Sequence, residues 1–226
     1  MTSRVIAITG AFGVLGSAVA GAARAQGDEV ALIDFAKAPA GAEGALVLAE
    51  VDLADPVQAA AAMAAVGERF GRIDALLNIA GGFVWETIET QDPSTWARMH
   101  TLNVVTAANA SRAAIPHLRA SAAGRIVNVG SAAALKAGLG MGAYAAAKAG
   151  VHALTQSLAE ELKGDGINVN AVLPSIIDTP TNRADMPDAD FSAWVAPADL
   201  AAVMLFLASE AATAVTGALM PVTGRV

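Results

Sequence analysis

Three residues of this chain carry side chains whose types and spacing suit proton transfer. Tyr144 is the only tyrosine and precedes Lys148 by four residues, so on a helix the two stand one turn apart on one face. A phenol is a poor acid–base group at neutral pH because it titrates near about 10. An ammonium beside it favours phenolate and is expected to draw that value toward the working range. Ser131 follows the apolar run Arg125–Val129 and Gly130, and its hydroxyl could hold a substrate oxygen and stabilise charge developing there. A Tyr–Lys pair at this spacing also arises by chance on helices, and a serine after a strand also caps turns. The three gain meaning only from what the rest of the chain supplies.

The second constellation suits a nucleotide. In Thr9-Gly10-Ala11-Phe12-Gly13-Val14-Leu15-Gly16, three glycines recur at intervals of three between an apolar run and an Ala-rich stretch. Gly10 can turn the chain, Gly13 can bring backbone close to a pyrophosphate, and Gly16 can let a helix approach a sheet. The amides opening that helix favour an anion, which gives Gly10, Phe12, Gly13, Val14, Leu15 and Gly16 as cofactor-binding residues. Asp34 ends the next strand and could accept hydrogen bonds from an adenosine ribose. Its charge would repel a 2′-phosphate, so the expected cofactor is NAD(H) and not NADP(H). Asp52, followed by Leu53, could meet the adenine amino group. Asn78-Ile79-Ala80-Gly81-Gly82 closes the fourth strand, where Ala80 and Gly81 would let a cofactor pass close to backbone and Asn78 would tie neighbouring strand ends together.

Something must hold these residues at one edge, and the periodicity supplies it. Apolar runs at Arg4–Thr9, Val30–Asp34, Leu46–Val51, Ile73–Ile79, Arg125–Val129, Ile167–Leu173 and Ala218–Val222 read as strands. Between them, Val14–Gln26, Pro56–Phe70, Tyr144–Lys163 and Pro197–Leu207 read as helices. So does Ser94–Ala110, which either breaks there or leads into a successor reaching Leu118. Asp55 is placed to cap the Pro56 helix, and Ala36–Gly44 reads as a loop. Short, nearly continuous apolar strands alternating with helices predict a single-domain, doubly wound, parallel seven-stranded α/β sheet of Rossmann-like type. Ligands in such sheets bind beyond the carboxyl ends of the strands, where the residues above fall.

Composition narrows the field. The 226 residues are 55% hydrophobic and 15% charged, which excludes intrinsic disorder. The formal net charge of -7 and the lack of adjacent basic residues argue against a nucleic-acid partner. With no cysteine there is no disulfide or thiolate chemistry, a composition that fits a reducing compartment such as the cytoplasm. The three histidines, His100, His117 and His152, follow no metal-ligand spacing and read as structural or interfacial. Val5–Ala23 runs 19 positions without a charge, near the length of a membrane span, but Gly10, Gly13 and Gly16 within it are explained by a strand, a turn and a helix. No membrane partner is expected.

Taken together, Thr9–Gly16, Asp34, Asp52, Asn78–Gly81, Asn103, Ser131, Tyr144, Lys148, Pro174 and Thr179 resemble the short-chain dehydrogenase/reductase family over nearly the whole chain. That resemblance implies that Tyr144 donates or accepts the proton, that Lys148 holds the nicotinamide ribose and tunes Tyr144, and that Ser131 positions the substrate. It implies that Asn103 distorts its helix and helps hold a water linking the lysine to solvent. Pro174, Ile177 and Thr179 correspond to the segment that contacts the nicotinamide carboxamide. The chain departs from the commonest family pattern twice: Gly13 stands one place early, and Pro174 is followed by Ser175 where glycine is usual. A narrower resemblance, to quinonoid dihydropteridine reductases, is carried by Ala80–Phe83, Gly142–His152 and Asp178–Trp194.

The expected activity is therefore NAD(H)-dependent hydride transfer to or from a small carbonyl or alcohol substrate. NADH-dependent reduction of a quinonoid dihydropterin is the alternative, and a non-catalytic dinucleotide-binding protein is the reading outside catalysis. Phe83, Trp85, Met141, Met186 and Trp194 are candidate pocket walls; Trp85 and Trp194 could sandwich a planar substrate, though ordinary loop or interface packing is the stronger reading of each. Asp188 or Asp190 could meet an amino-pyrimidine edge. Small residues Ala145, Ala149 and Ala153 on the tyrosine helix would admit a partner helix, as in a homodimer, and the family resemblance extends this to a homotetramer.

Overall fold

The structure, a computed structural model, describes residues 3–40 and 45–226. Seven parallel strands form one sheet: β1 (Val5–Thr9), β2 (Glu29–Ile33), β3 (Leu46–Leu48), β4 (Ala75–Asn78), β5 (Arg125–Val129), β6 (Asn168–Pro174) and β7 (Leu219–Val222). Their spatial order is β3-β2-β1-β4-β5-β6-β7. The strands read as near-continuous apolar runs because both faces are covered. Ile6 and Ile8 turn to one face with Leu32, Leu77, Val127 and Val172. There they bury against Leu15 and Val19 of α1 (Val14–Ala25) and Leu200 and Met204 of α7 (Pro197–Leu207). Val5, Ala7, Ile33, Leu76, Ile126 and Val169 turn to the other. That face is closed by α2 (Pro56–Phe70), α4 (Thr106–Leu118) and α5 (Gly142–Leu162).

The strand order reverses beside β1, which pairs with β2 on one side and β4 on the other. That reversal opens the crevice in which the glycine loop and the end of β4 meet. Gly10 takes φ 63°, and a Cβ there would lie 2.8 Å from the Ala80 nitrogen. The Thr9 hydroxyl accepts the N–H groups of Ile79 and Ala80 at 3.0 and 3.1 Å, fixing the two loops to each other.

Elements differ from expectation at their ends. Regular β3 stops at Leu48 instead of Val51, because Glu50 turns the chain with φ 58° before Val51 N–H rejoins the Asp34 carbonyl at 2.9 Å. β4 spans Ala75–Asn78, inside the Ile73–Ile79 run expected to contain it and starting at Ala75, where that run is most clearly strand-like. The helix expected from Ser94 is α3 (Thr95–His100), which passes through a π-helical turn at Thr101–Val105 into α4 and so reaches Leu118 without a break at Ala110. The short helix α6 (Pro180–Asp185) was not expected. Asp55 caps α2 as expected, its carboxylate accepting Val57 N–H at 2.8 Å. The loop expected at Ala36–Gly44 lies partly outside the described residues.

Gly16 and Gly13 face different surroundings, which makes them separable. A Cβ on Gly16 would run into the Gly10 carbonyl oxygen and stand 2.7 Å from Ala11 Cα, whereas one on Gly13 meets its nearest atom at 3.5 Å. Gly16→Ala should lower stability by about 2 kcal/mol or more in urea unfolding, and Gly13→Ala by less than about 1 kcal/mol. Equal costs would contradict the helix-approach role given to Gly16.

Candidate active site

At the nucleotide end, Gly13 precedes α1 with extended backbone (φ -70°, ψ 171°), no side chain caps the helix and no acidic residue stands in its first turn. The amides opening this 12-residue helix therefore meet no side-chain cap and no carboxylate of their own first turn, and a Cβ on Gly13 would come within 3.5 Å of Gly10 O. Asp34 points back toward this loop: one carboxylate oxygen accepts Phe12 N–H and the other Ala36 N–H, both at 2.9 Å. Asp52 accepts Ala54 N–H at 2.9 Å beside the buried Leu53. These groups suit a dinucleotide: a glycine cradle that a Cβ would fill, an uncapped helix end and a carboxylate at the end of β2.

Asn78 joins strand ends as expected, its amide donating to Asn128 Oδ1 at 2.8 Å and to Ser111 Oγ at 3.0 Å. Asn128 continues the chain of bonds to Thr155 on α5 at 2.9 Å. The end of β5 is thereby tied to the helix that carries Tyr144 and Lys148.

At the chemical end, the Lys148 ammonium is buried and donates to the Val129 carbonyl at 2.7 Å. It lies 5.9 Å from the centroid of the Tyr144 ring. Phe83 meets that ring edge-on, with centroids 5.0 Å apart at 87°. Ser131, in extended backbone after β5, accepts Ala133 N–H at 3.1 Å and acts on the Tyr144 phenol in the direction that favours its ionised form. Asn103 lies inside the π turn. Its amide donates to Met99 O at 3.0 Å, the carbonyl that would receive the Asn103 backbone N–H in an α-helix, and to Gly82 O at 3.1 Å. Its Oδ1 accepts Gly82 N–H at 3.2 Å. A Cβ on Gly81 would stand 2.6 Å from Asn103 Oδ1 and 3.5 Å from Lys148 Nζ, so a glycine is what lets β4's end reach this corner.

The electrostatics correct one expectation. Burial raises the Tyr144 phenol above its ordinary value, and the hydrogen bond with Ser131 offsets only part of that; the expected lowering does not occur. Burial also lowers Lys148 to about 8. An ammonium sunk this deep with a carbonyl as its partner has lost hydration, and at this separation it does not outweigh the phenol's own desolvation.

The pocket walls are only partly as expected. Phe83 and Trp85 are exposed, with Trp85 lying on Gly140, and Met141 packs toward Gly138. Met186 is at the edge of exposure. Trp194 is buried with its ring 4.8 Å from that of Phe191, so it is a core residue and not one half of a sandwich with Trp85. Asp190 caps a local turn by accepting Ser192 N–H at 3.0 Å, which accounts for its carboxylate without a ligand. Thr179 caps α6, accepting Asn182 N–H at 3.2 Å, while the Ile177 carbonyl takes the Asn182 amide at 2.7 Å. Pro174 ends β6, and Ser175 tolerates the place of the usual glycine: it avoids positive φ, and its hydroxyl donates to Thr223 O at 2.8 Å. A cleft of about 300 Å³ lies between the loops after β4 and β5, lined by Glu86, Ile88, Trp96, Leu139 and Gly142.

His152 is the residue whose place in the site the sequence did not reveal. It is buried one turn after Lys148, and its Nε2 accepts Ser131 N–H at 3.3 Å. The spacing Tyr144, Lys148, His152 is a signal of a third residue on the same helix face. Of the small residues on α5, Ala145 is buried within the chain, and Ala149 and Ala153 face outward.

A model of the short chain dehydrogenase family matches residues 4–190. The chain belongs to the short-chain dehydrogenase/reductase family. It is 35% identical to meso-2,3-butanediol dehydrogenase of Serratia marcescens over 98% of this chain and 94% of that one. A short-chain type dehydrogenase/reductase from Mycobacterium ulcerans superposes with a TM-score of 0.90 at 27% identity, covering 100% of this chain and 90% of the other. The 3-ketoacyl-(acyl-carrier-protein) reductase of Brucella melitensis, solved in complex with NADH, does so at 0.86 with 30% identity and 98% coverage of both chains. Among the described residues no helix is long and apolar enough to cross a membrane, and the apolar stretch from Val5 divides into β1, a turn and α1.

The buried lysine makes a checkable statement about stability. Its folded value of about 8 lies below the ordinary 10.5, so between those values the unfolded chain binds the proton more tightly and stability rises with pH. The cost of burying the charge is fully present below about pH 8. Removing it in Lys148→Met should stabilise the fold by on the order of 1–3 kcal/mol at pH 7, an advantage that shrinks as pH rises toward about 10. Chemical denaturation of both proteins across that range measures it; a variant less stable than wild type at every pH would contradict the assignment.

Proposed function

We propose that this protein is an NAD(H)-dependent oxidoreductase that interconverts a small carbonyl compound and its alcohol. The observation that carries this reading is the meeting of Ser131, Tyr144 and Lys148 at the end of β5, beside the crevice where the strand order reverses. Gly10, Phe12, Gly13, Val14, Leu15 and Gly16 would hold the pyrophosphate, Asp34 the adenosine ribose, and Asp52 and Leu53 the adenine. Ala80, Gly81, Tyr144, Lys148, Pro174, Ile177 and Thr179 would surround the nicotinamide end. When bound, the dinucleotide supplies or receives the hydride.

The chain's own residues then handle the proton. Ser131 Oγ donates a hydrogen bond to the substrate oxygen and stabilises the negative charge that grows there during reduction. Tyr144 gives its proton to that oxygen, and in oxidation takes one from the alcohol. Burial keeps the phenol protonated at neutral pH, which leaves it ready as a donor. Lys148, anchored on Val129 O, places its positive charge beside the phenol, and Asn103 keeps the π turn and Gly82 in the arrangement that leaves room for it. Phe83, edge-on to Tyr144, walls the substrate on one side.

A pterin substrate keeps the sequence resemblance as its support. The relatives above are named for a butanediol dehydrogenase and a ketoacyl reductase, and these favour the carbonyl reading. A homodimer or homotetramer in the cytoplasm completes the proposal, with Ala149 and Ala153 outward on α5.

NADH oxidation should be followed with a panel of small ketones, diketones and quinonoid dihydropterin. Tyr144→Phe is expected to lower kcat by about 10²–10⁴-fold while NADH affinity, read by fluorescence, changes less than about 3-fold. Full activity in that variant would overturn the proton-transfer role. Wild type should prefer NADH over NADPH, and Asp34→Asn should narrow the preference by at least about 10-fold, chiefly through better use of NADPH. A wild type that prefers NADPH would overturn the role of Asp34.

A further inference from the structure

The end of β5 is fixed residue by residue, and the last fixing contact is made by a group the proposed reaction does not use. Val129 O receives the Lys148 ammonium at 2.7 Å. Gly130 N–H reaches Val172 O of β6 at 2.9 Å, the last sheet bond of this strand end. Ser131 has left the sheet, so its buried N–H needs another acceptor. His152 Nε2 provides one at 3.3 Å. The imidazole reaches this position only because Gly130 has no side chain: a Cβ there would stand 2.5 Å from Nε2. Tyr144, Lys148 and His152 follow at intervals of four along α5, so one helix face carries two groups of the proposed chemistry and a third that grips the serine segment.

We propose that His152 is a positioning residue: held neutral with Nε2 bare, it accepts the Ser131 N–H and thereby fixes the hydroxyl that meets the substrate oxygen. This rests on the reading of Ser131 given above. An imidazolium carries protons on both nitrogens and has no acceptor to offer, so protonation breaks the contact. Just past β5 the imidazole meets Gly130 and Ser131, Leu173 of β6 borders the same space at Gly130, and on its own helix Lys148 stands one turn back. The ammonium is the charged group of these, and it adds to burial in holding His152 below its ordinary value.

Two readouts test this separately from turnover. Long-range ¹⁵N–¹H NMR of the whole protein, free and with NADH, should show His152 as the Nδ1–H tautomer near pH 7, titrating below about 6.5. An Nε2–H tautomer or an imidazolium at that pH overturns the proposal, whether or not any substrate is turned over. With an accepted substrate, His152→Leu should lower kcat by about 10-fold and leave NADH affinity within about 3-fold. His152→Gln, whose side-chain carbonyl can accept the same N–H, should recover most of that loss and lack the acid limb of the wild-type pH profile. In a Ser131→Ala background His152→Leu should cost less than about 2-fold more, since the hydroxyl it positions is gone. Equal losses in the Leu and Gln variants, no loss in either, or full additivity with Ser131→Ala would each overturn it. If no compound in the panel is reduced, the proposed function fails while the tautomer still decides the role of His152.

Discussion

Lys148 places a cation inside the protein with a backbone carbonyl as its hydrogen-bond partner, and the functional end of the fold is organised around tolerating it. An unpaired buried charge is among the most expensive groups a core can hold, and the lowered lysine value is the visible sign of that cost. A structure free to optimise stability alone would put an apolar side chain there. What the charge requires of its surroundings explains several local irregularities. Val129 O must be turned toward α5, Gly81 must lack a side chain so that β4's end can pass within reach of Nζ, and Asn103 must hold Gly82 through both of its amide atoms. The π turn follows from the last requirement, because the Asn103 side chain takes the carbonyl that regular helix geometry would assign to its own backbone.

These contacts make one unit of four separate pieces of chain. The end of β4 is tied to the glycine loop through Thr9, the end of β5 to α5 through Lys148, His152 and Asn128, and β4 to β5 through Asn78. Each tie spans elements distant in sequence, and all but the partly buried Thr9 tie are buried, where a hydrogen bond left unmade costs more than a made one contributes. The nucleotide crevice and the proton-transfer groups are therefore held in a fixed relation by the same hydrogen bonds that close the upper edge of the sheet. The loops beyond that edge expose Phe83, Trp85, Leu139 and Met186, as suits positions that set which substrate enters, and Glu86 N–H joins two of them by donating to Gly140 O at 2.9 Å.

The sheet was legible because strands buried on both faces leave uninterrupted apolar runs, and the seven runs of the sequence are the seven strands. The glycine loop and the Tyr144–Lys148 pair were legible for a different reason: their spacing is local, within one turn or one helix, while Asp34 stood out as the charge that closes the next apolar run. What escaped was set by distant partners. His152 looked like a core histidine because its acceptor role depends on Ser131, 21 residues away in sequence. Trp194 was weighed as a pocket wall against ordinary packing, and its burial beside Phe191, three residues away, bears out the packing. The shift of Tyr144 was read with the wrong sign since the pattern Tyr-x-x-x-Lys shows the cation and hides the phenol's desolvation and the burial of Lys148. The short β3 depended on a single residue with positive φ, Glu50, to which no glycine or asparagine drew attention.

The most direct measurement is a crystal structure of the protein with NADH and an unreactive analogue of an accepted ketone. The buried-cation arrangement predicts the analogue's oxygen within about 3 Å of both Tyr144 Oη and Ser131 Oγ, with Lys148 Nζ still bonded to Val129 O beside the nicotinamide ribose. An oxygen held elsewhere, or a lysine drawn out to solvent with the phenol and the serine hydroxyl apart, would contradict it.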